Sequence, residues 1–287
     1  MEIYWETHAI NKLADCTKEM QDEIFKQIGD FNNRISDITL LEITSTGRKE
    51  DKKYIERQKD LLMICKRLSI KNRGFTIFPN YTEILREDLL RIKENRPFSL
   101  YNCMSLETVI DYLLANPDEI SIEISKENYD TKMDGERFWE ELHENVHKNL
   151  KNIGEDQKEK LTDQNQFLTS YVESNPVHAF IVLLEDAIRI YGYDGDLEDL
   201  YCKSDIWRTF YFAKIYEIAR YGIQGIKQRP HIDNWDVNQV VYVPFVDMCI
   251  VGKDLKEYYS WIAEKAKLKT KIQTFDEFIK YTLKLNI

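Results

Sequence analysis

Acidic side chains follow several predicted strands, and their type and placement suit metal-dependent chemistry. Glu6 comes directly after the first predicted strand, Glu42 after the second, and Asp254 shortly after a four-residue apolar strand near the C-terminus. In parallel α/β sheets, groups just past the carboxyl ends of the strands lie along one edge, where ligands bind. We therefore expect these carboxylates to meet although they come from distant parts of the chain.

Two further acids belong to the same C-terminal region. Asp236 opens the segment that leads into the apolar strand, and Asp247 stands at the entry of that strand. Converging carboxylates repel one another unless a cation lies between them, so convergence predicts a bound divalent ion. Oxygen ligands suit Mg²⁺ or Mn²⁺, which activate water and stabilise a phosphate group under attack. Each acid alone is also typical of a helix start, so the prediction depends on the joint pattern.

A second motif with possible chemistry lies in the middle of the chain. His143, Glu144 and His147 form the pattern H-E-x-x-H, which on a helix places two imidazoles on one face for zinc and a carboxylate as general base. The flanking residues are mostly charged, and no third ligand is evident downstream. A solvated surface helix is therefore the preferred interpretation, and a zinc metallopeptidase is the alternative.

The elements that must position the C-terminal and N-terminal acids follow an α/β pattern. Residues 3–5 predict a strand, and a helix with one apolar stripe follows as far as Gly29. A nearly continuous apolar and β-branched run over residues 34–41 predicts a buried strand that leads into a helix carrying Glu42. Residues 248–251 and 271–275 predict two more strands, each followed by a helix. Alternation of this kind predicts a central parallel sheet flanked by helices.

The middle of the chain differs from its two ends. Residues 71–203 contain several helical patterns and a long stretch rich in charge, without a clear strand. We therefore predict a discontinuous α/β domain, built from residues 1–70 and 204–287, with a large helical insertion or subdomain between them.

Composition limits the class of protein. Of 287 residues, 43% are hydrophobic, which is enough for a substantial core, and no run of eighteen apolar residues predicts a membrane span. The five cysteines are widely spaced and the N-terminus lacks a secretory pattern, so we expect reduced thiols in a cytoplasmic protein. The net charge of −10 argues against broad clamping of nucleic acid by basic residues, but it is compatible with a carboxylate metal site.

The C-terminal acids stand in a segment, residues 234–247, that resembles the C-terminal motif of PIN-like ribonucleases. Asp236, Gln239, Tyr242 and Asp247 have the spacing of that motif, in which an Asp opens a helix and polar, Tyr and Asp positions follow. The family then has an apolar strand ending in Thr, one further residue and Asp. Here Gly252 stands where the family has Thr, followed by Lys253 and Asp254.

The N-terminal region resembles the same family. Glu6-Thr7-His8 corresponds to the family's Asp, Thr or Ser, and Asn after the first strand, and the run ending in Glu42 resembles the strand that ends in a metal-binding Glu. The resemblance covers about residues 1–70 and 204–287.

The resemblance implies a PIN-like endoribonuclease that hydrolyses RNA with Mg²⁺ or Mn²⁺, of the toxin or defence-effector type. It implies metal binding, and catalysis, by Glu6, Glu42, Asp236 and Asp254, with Asp247 as a neighbouring acid in support. RNA is then the substrate, and a protein regulator or partner subunit is a further expected partner. A degenerate PIN-like scaffold that binds RNA or protein without cutting is the remaining alternative, because Glu6 and Gly252 depart from the family pattern.

Overall fold

The order of strands in the sheet places the first strand at its centre. The computed structural model describes residues 1–45, 52–69, 77–99, 106–115, 173–223 and 238–285. Within them, five parallel strands form one sheet in the order β3-β2-β1-β4-β5. The strands are β1 (Glu2–Trp5), β2 (Asn32–Ser36), β3 (Ile77–Phe78), β4 (Met248–Val251) and β5 (Lys271–Thr274). The two ends of the chain therefore meet in a single sheet, as predicted.

Helices connect and cover these strands. Before β4 they are α1 (Thr7–Asp15), α2 (Lys18–Gln27), α3 (Asp37–Ser45), α4 (Lys52–Ser69), α5 (Tyr81–Glu94), α6 (Leu106–Ala115), α7 (Pro176–Ile190), α8 (Leu197–Lys203) and α9 (Asp205–Ile223), followed by a 3-10 helix (Val240–Phe245). After β4 they are α10 (Lys253–Lys265) and the short α11 (Phe275–Glu277), which continues as one turn of π-helix (Phe278–Thr282). None of the helices in the described part of the chain is long and apolar enough to cross a membrane.

Alternating side chains of the central strands pack into two hydrophobic clusters, one on each face of the sheet. Ile3 and Trp5 of β1 pack with α1, α2 and α4 on one face. Tyr4, between them, packs on the other face with α5, α7 to α10 and the 3-10 helix. Strand β4 divides in the same way, because Ile250 joins the first face and Cys249 the second. Strands buried on both faces explain the continuous apolar runs in the sequence.

Two boundaries predicted for helices and strands are wrong, because in each case a side-chain hydroxyl group caps a helix at a different residue. The strand predicted over residues 34–41 ends at Ser36, because the Ser36 hydroxyl accepts the N–H of Thr39 (3.1 Å) and thereby caps α3. Glu42 therefore lies on a helix, as predicted, but in the second turn of that helix and not directly after the strand. Likewise, the single predicted N-terminal helix is two helices, because Thr17 caps α2 by accepting the N–H of Met20.

The sheet extends beyond the boundary predicted at residue 70. Strand β3 lies in the range predicted as a helical insertion, yet it pairs with β2 through Ile35 and Ile77. Its two residues are too few to show a strand pattern in the sequence. The described helices α5, α7 and α8 also pack on the same face as Tyr4. The division into domains otherwise stays a prediction.

A buried polar network fastens the C-terminal segment to the central strands. The Tyr4 hydroxyl donates a hydrogen bond to Gln239 Oε1 (2.7 Å) and lies 2.9 Å from Ser36 Oγ. All three side chains are buried, so each polar group depends on the others for its hydrogen bonds. Gln239, a residue of the C-terminal motif, thus has a structural role beneath the sheet.

Replacing Tyr4 with Phe tests the strength of this network. The Tyr4→Phe variant removes a hydroxyl and leaves buried partners unsatisfied, so we expect the free energy of unfolding to fall by about 1–3 kcal/mol. Urea denaturation measures the change. Tyr281→Phe is the matched control, because the Tyr281 side chain is exposed and the same loss there should have almost no effect. Equal effects of the two substitutions would contradict the account.

Candidate functional site

Glu6 joins the carboxyl ends of the two central strands. It follows β1 directly and is only 5% exposed. Its Oε1 accepts the N–H of His8 (2.9 Å), and its Oε2 accepts the N–H of Gly252 (3.2 Å), the residue that follows β4. The backbone N–H of Glu6 in turn donates to the carbonyl of Ile250 (3.1 Å). The carboxylate is therefore held in a fixed orientation across β1 and β4.

The strand order makes this junction the expected ligand site of the sheet. Strands β2 and β3 lie on one side of β1, whereas β4 and β5 lie on the other, so the order reverses between β1 and β4. Helix α1, which follows β1, and helix α10, which follows β4, pack on opposite faces of the sheet. Diverging connections of this kind leave the carboxyl ends of the two strands open to ligands.

Two more of the predicted acids lie at the same edge. The half-buried Glu42 of α3 accepts a hydrogen bond from the hydroxyl of Thr7, the residue next to Glu6. Asp254 is exposed in the first turn of α10, two residues after Gly252. We call Glu6, Glu42 and Asp254 the acidic edge. Asp236 and the motif of His143, Glu144 and His147 lie outside the described residues.

The donor types of the acidic edge suit a hard divalent cation, but its geometry is incomplete. Carboxylate oxygens and the Thr7 hydroxyl are the ligands that Mg²⁺ and Mn²⁺ prefer. Within the described residues, no three His, Cys, Asp or Glu side chains are grouped so that they could hold a metal ion. Mg²⁺ commonly binds one or two carboxylates and keeps several waters, and Glu6 and Glu42 have the ligand chemistry that such a site takes from the protein.

Asp247 lies at the other end of the strands. It precedes β4, and its Oδ2 accepts the backbone N–H of Glu2 (2.8 Å) at the start of β1. A four-residue strand separates it from the acidic edge, which is a distance of about 13 Å. The structure therefore does not bring Asp247 to Glu6, and its visible role is to align the amino ends of β1 and β4.

Asp37 is an acid at the carboxyl edge that the sequence analysis did not select. It begins α3 directly after β2, and its Oδ1 accepts hydrogen bonds from the Tyr242 hydroxyl (2.9 Å) and the Ile38 N–H (2.7 Å). Burial raises the pKa of the Asp37 carboxyl, and hydrogen bonds from Tyr242, Ile38 and Asn80 oppose that change. Placing the end of β2 at Ser36 would have revealed this residue.

The buried thiol next to the site is not a nucleophile. Cys249 lies in β4 and is fully buried. Burial first, and then the negative charge of Glu6, raise the pKa of the Cys249 thiol well above its ordinary value. Because the thiolate is the reactive form, burial leaves the Cys249 thiol unreactive.

Comparison of the chain with models of protein families, with curated proteins and with solved structures finds no significant match. The geometry of the described residues and the motifs in the sequence are therefore the observations that bear on function.

The Asp37→Asn variant tests the electrostatics of the edge. Because its pKa is raised by folding, Asp37 binds its proton more tightly in the folded state, so its stabilising contribution is present at low pH. That contribution is lost as the pH rises through the raised pKa. Asparagine keeps the acceptor oxygen without the charge. We therefore expect the stability of Asp37→Asn relative to wild type to increase from pH values below about 3.9 towards neutrality.

Urea denaturation at a series of pH values measures this difference. Asp186→Asn is the control, because Asp186 is exposed on α7 and its replacement changes the net charge equally. Parallel pH curves for the two variants would show that burial at Asp37 has no electrostatic consequence.

Proposed function

We propose that this chain is a PIN-like, metal-dependent endoribonuclease that hydrolyses RNA with Mg²⁺ or Mn²⁺. The observation that carries the proposal is the Glu6 carboxylate, fixed across the carboxyl ends of β1 and β4 by the N–H groups of His8 and Gly252. Glu42 accepts a hydrogen bond from the hydroxyl of Thr7, the residue next to Glu6, and Asp254 lies two residues after Gly252. The resemblance of both ends of the sequence to one nuclease family supports the same assignment.

Each residue has a defined task in this proposal. Glu6 and Glu42 bind the cation, and Asp236 and Asp254 complete its ligands directly or through water. The backbone N–H groups that hold Glu6 keep its carboxylate oriented before any ligand arrives, so little order has to be gained on binding. When bound, the metal ion lowers the pKa of a coordinated water and offsets the charge of the phosphate. The Thr7 hydroxyl, which donates a hydrogen bond to Glu42, orients that carboxylate.

The charge of the protein makes RNA binding depend on the cation. Three carboxylates at the edge repel a phosphate group, and the net charge of −10 adds to this effect. Helices α1 and α10 both begin at this edge, and their N-termini attract negative charge. We therefore propose that the nuclease binds the scissile phosphate mainly through the metal ion, and that its affinity for RNA is low in the presence of a chelator.

The resemblance also suggests a biological setting. Nucleases of this type act as toxins or defence effectors, so we propose that the chain acts in the cytoplasm and that a protein partner controls it.

Replacing Glu6 with Gln tests the proposed function. Glu6→Gln removes the negative charge, and one of its two acceptor oxygens becomes an amide that cannot accept the facing N–H. We expect Mn²⁺-dependent cleavage of a single-stranded RNA to fall at least about 100-fold. The loss of a residue that only supports a metal ligand already lowers activity by up to about 100-fold. Cleavage of a labelled oligonucleotide under single-turnover conditions measures this.

The control is Glu264→Gln, which makes the same change at an exposed position near the opposite end of α10. That variant should cleave as the wild type does, and circular dichroism should show that both variants are folded. Full activity in a folded Glu6→Gln variant would disprove the assignment, and so would the absence of metal-dependent cleavage by the wild-type protein.

A further inference from the structure

The glycine after β4 is explained by the space around it and not by its backbone. Gly252 has φ −62° and ψ 157°, an extended conformation that any residue adopts. A methyl group at this position would lie 3.3 Å from His8 Cγ and 3.4 Å from His8 Cβ. A side chain at position 252 would therefore press against His8, which would have to shift by a few tenths of an ångström.

The imidazole of His8 is not needed to hold Glu6. The hydrogen bond to Glu6 Oε1 comes from the backbone N–H of His8, which any residue except proline supplies. The His8 side chain is exposed in the first turn of α1, so it contributes little to the buried core. A smaller residue would leave the same fold, and the ring is therefore free to serve a ligand.

The backbone of His8 has a fixed position with respect to the acidic edge, and its ring lies next to Gly252. One oxygen of the Glu6 carboxylate is bound by the backbone N–H of His8 and the other by the backbone N–H of Gly252. An imidazole N–H is a hydrogen-bond donor at an edge where the other side chains are mostly acceptors. A phosphate oxygen needs such donors.

We propose that His8 is a substrate-contacting residue whose imidazole N–H donates a hydrogen bond to an oxygen of the RNA phosphate held at the acidic edge. This inference rests on the proposed nuclease function. Gly252 is glycine in this account because it leaves room for the ring. In this pair the His8 ring binds the substrate, and the absence of a side chain at Gly252 leaves room for the ring.

The test compares His8→Ala, Gly252→Ala and the double variant in three measurements. These are the affinity for a single-stranded RNA oligonucleotide in Ca²⁺ buffer, the affinity for Mn²⁺ alone, and the thermal stability. We expect His8→Ala to weaken RNA binding about tenfold, the loss of one hydrogen bond to a charged group, with Mn²⁺ affinity and stability unchanged. A residue that served only the fold would change stability and leave RNA affinity unchanged.

The glycine provides the matched arm of the experiment. Gly252→Ala should weaken RNA binding less than His8→Ala does and lower the thermal stability slightly, because its methyl group pushes the ring aside by a few tenths of an ångström. In the double variant the methyl group meets only the Cβ at position 8 and no ring, so we expect most of the lost stability to return while RNA binding stays weak.

The outcomes separate the two proposals. If the wild-type protein cleaves RNA and folded His8→Ala binds RNA with wild-type affinity, the role of His8 is wrong and the nuclease proposal stands. If Gly252→Ala neither loses stability nor binds RNA more weakly, the pairing of ring and glycine is wrong. If the wild-type protein neither binds nor cleaves RNA with Mn²⁺, both proposals fail together.

Discussion

One carboxylate connects the sheet, the helices that follow it and the proposed chemistry. Glu6 is nearly buried, and its two oxygens are bound by backbone N–H groups that follow β1 and β4. Burying a charge without compensation is strongly unfavourable, and hydrogen bonds from backbone N–H groups reduce that cost. A cation at the exposed side of the carboxylate would reduce it further. The fold therefore places a carboxylate at the point where parallel sheets bind ligands, and we propose that a metal ion binds to it there.

The C-terminal motif divides its residues between support and site. Gln239 and Tyr242 face the interior, where they bind Tyr4 and Asp37, and Asp247 aligns the amino ends of the two central strands. Asp254, which follows the next strand, lies at the acidic edge. Within the described residues, Gln239, Tyr242 and Asp247 of the motif thus hold the chain in place.

The sequence was informative where a pattern was local and less so where contacts are distant. Strands β1, β4 and β5 were predicted because each is a short run of strand-forming residues that is followed by the start of a helix. The boundary between β2 and α3 was misplaced, because residues 37–41 are as suitable for a strand as for a helix and the capping by Ser36 decides between them. The placement of Glu6 and Asp254 after the carboxyl ends of neighbouring parallel strands followed from a general rule for such sheets. In contrast, the bond from Gly252 to Glu6 joins residues 246 positions apart and depends on the pairing of Trp5 with Ile250, which no local pattern encodes.

The central claim is that Glu6 binds a divalent cation at the junction of β1 and β4, and crystallography with Mn²⁺ tests it most directly. Crystals soaked in Mn²⁺ should show an anomalous peak about 2.1 Å from an oxygen of Glu6, with Glu42 as a ligand directly or through water. The same soak of Glu6→Gln crystals should show no peak there. A peak that leaves the acidic edge empty and lies elsewhere in the protein would contradict the account.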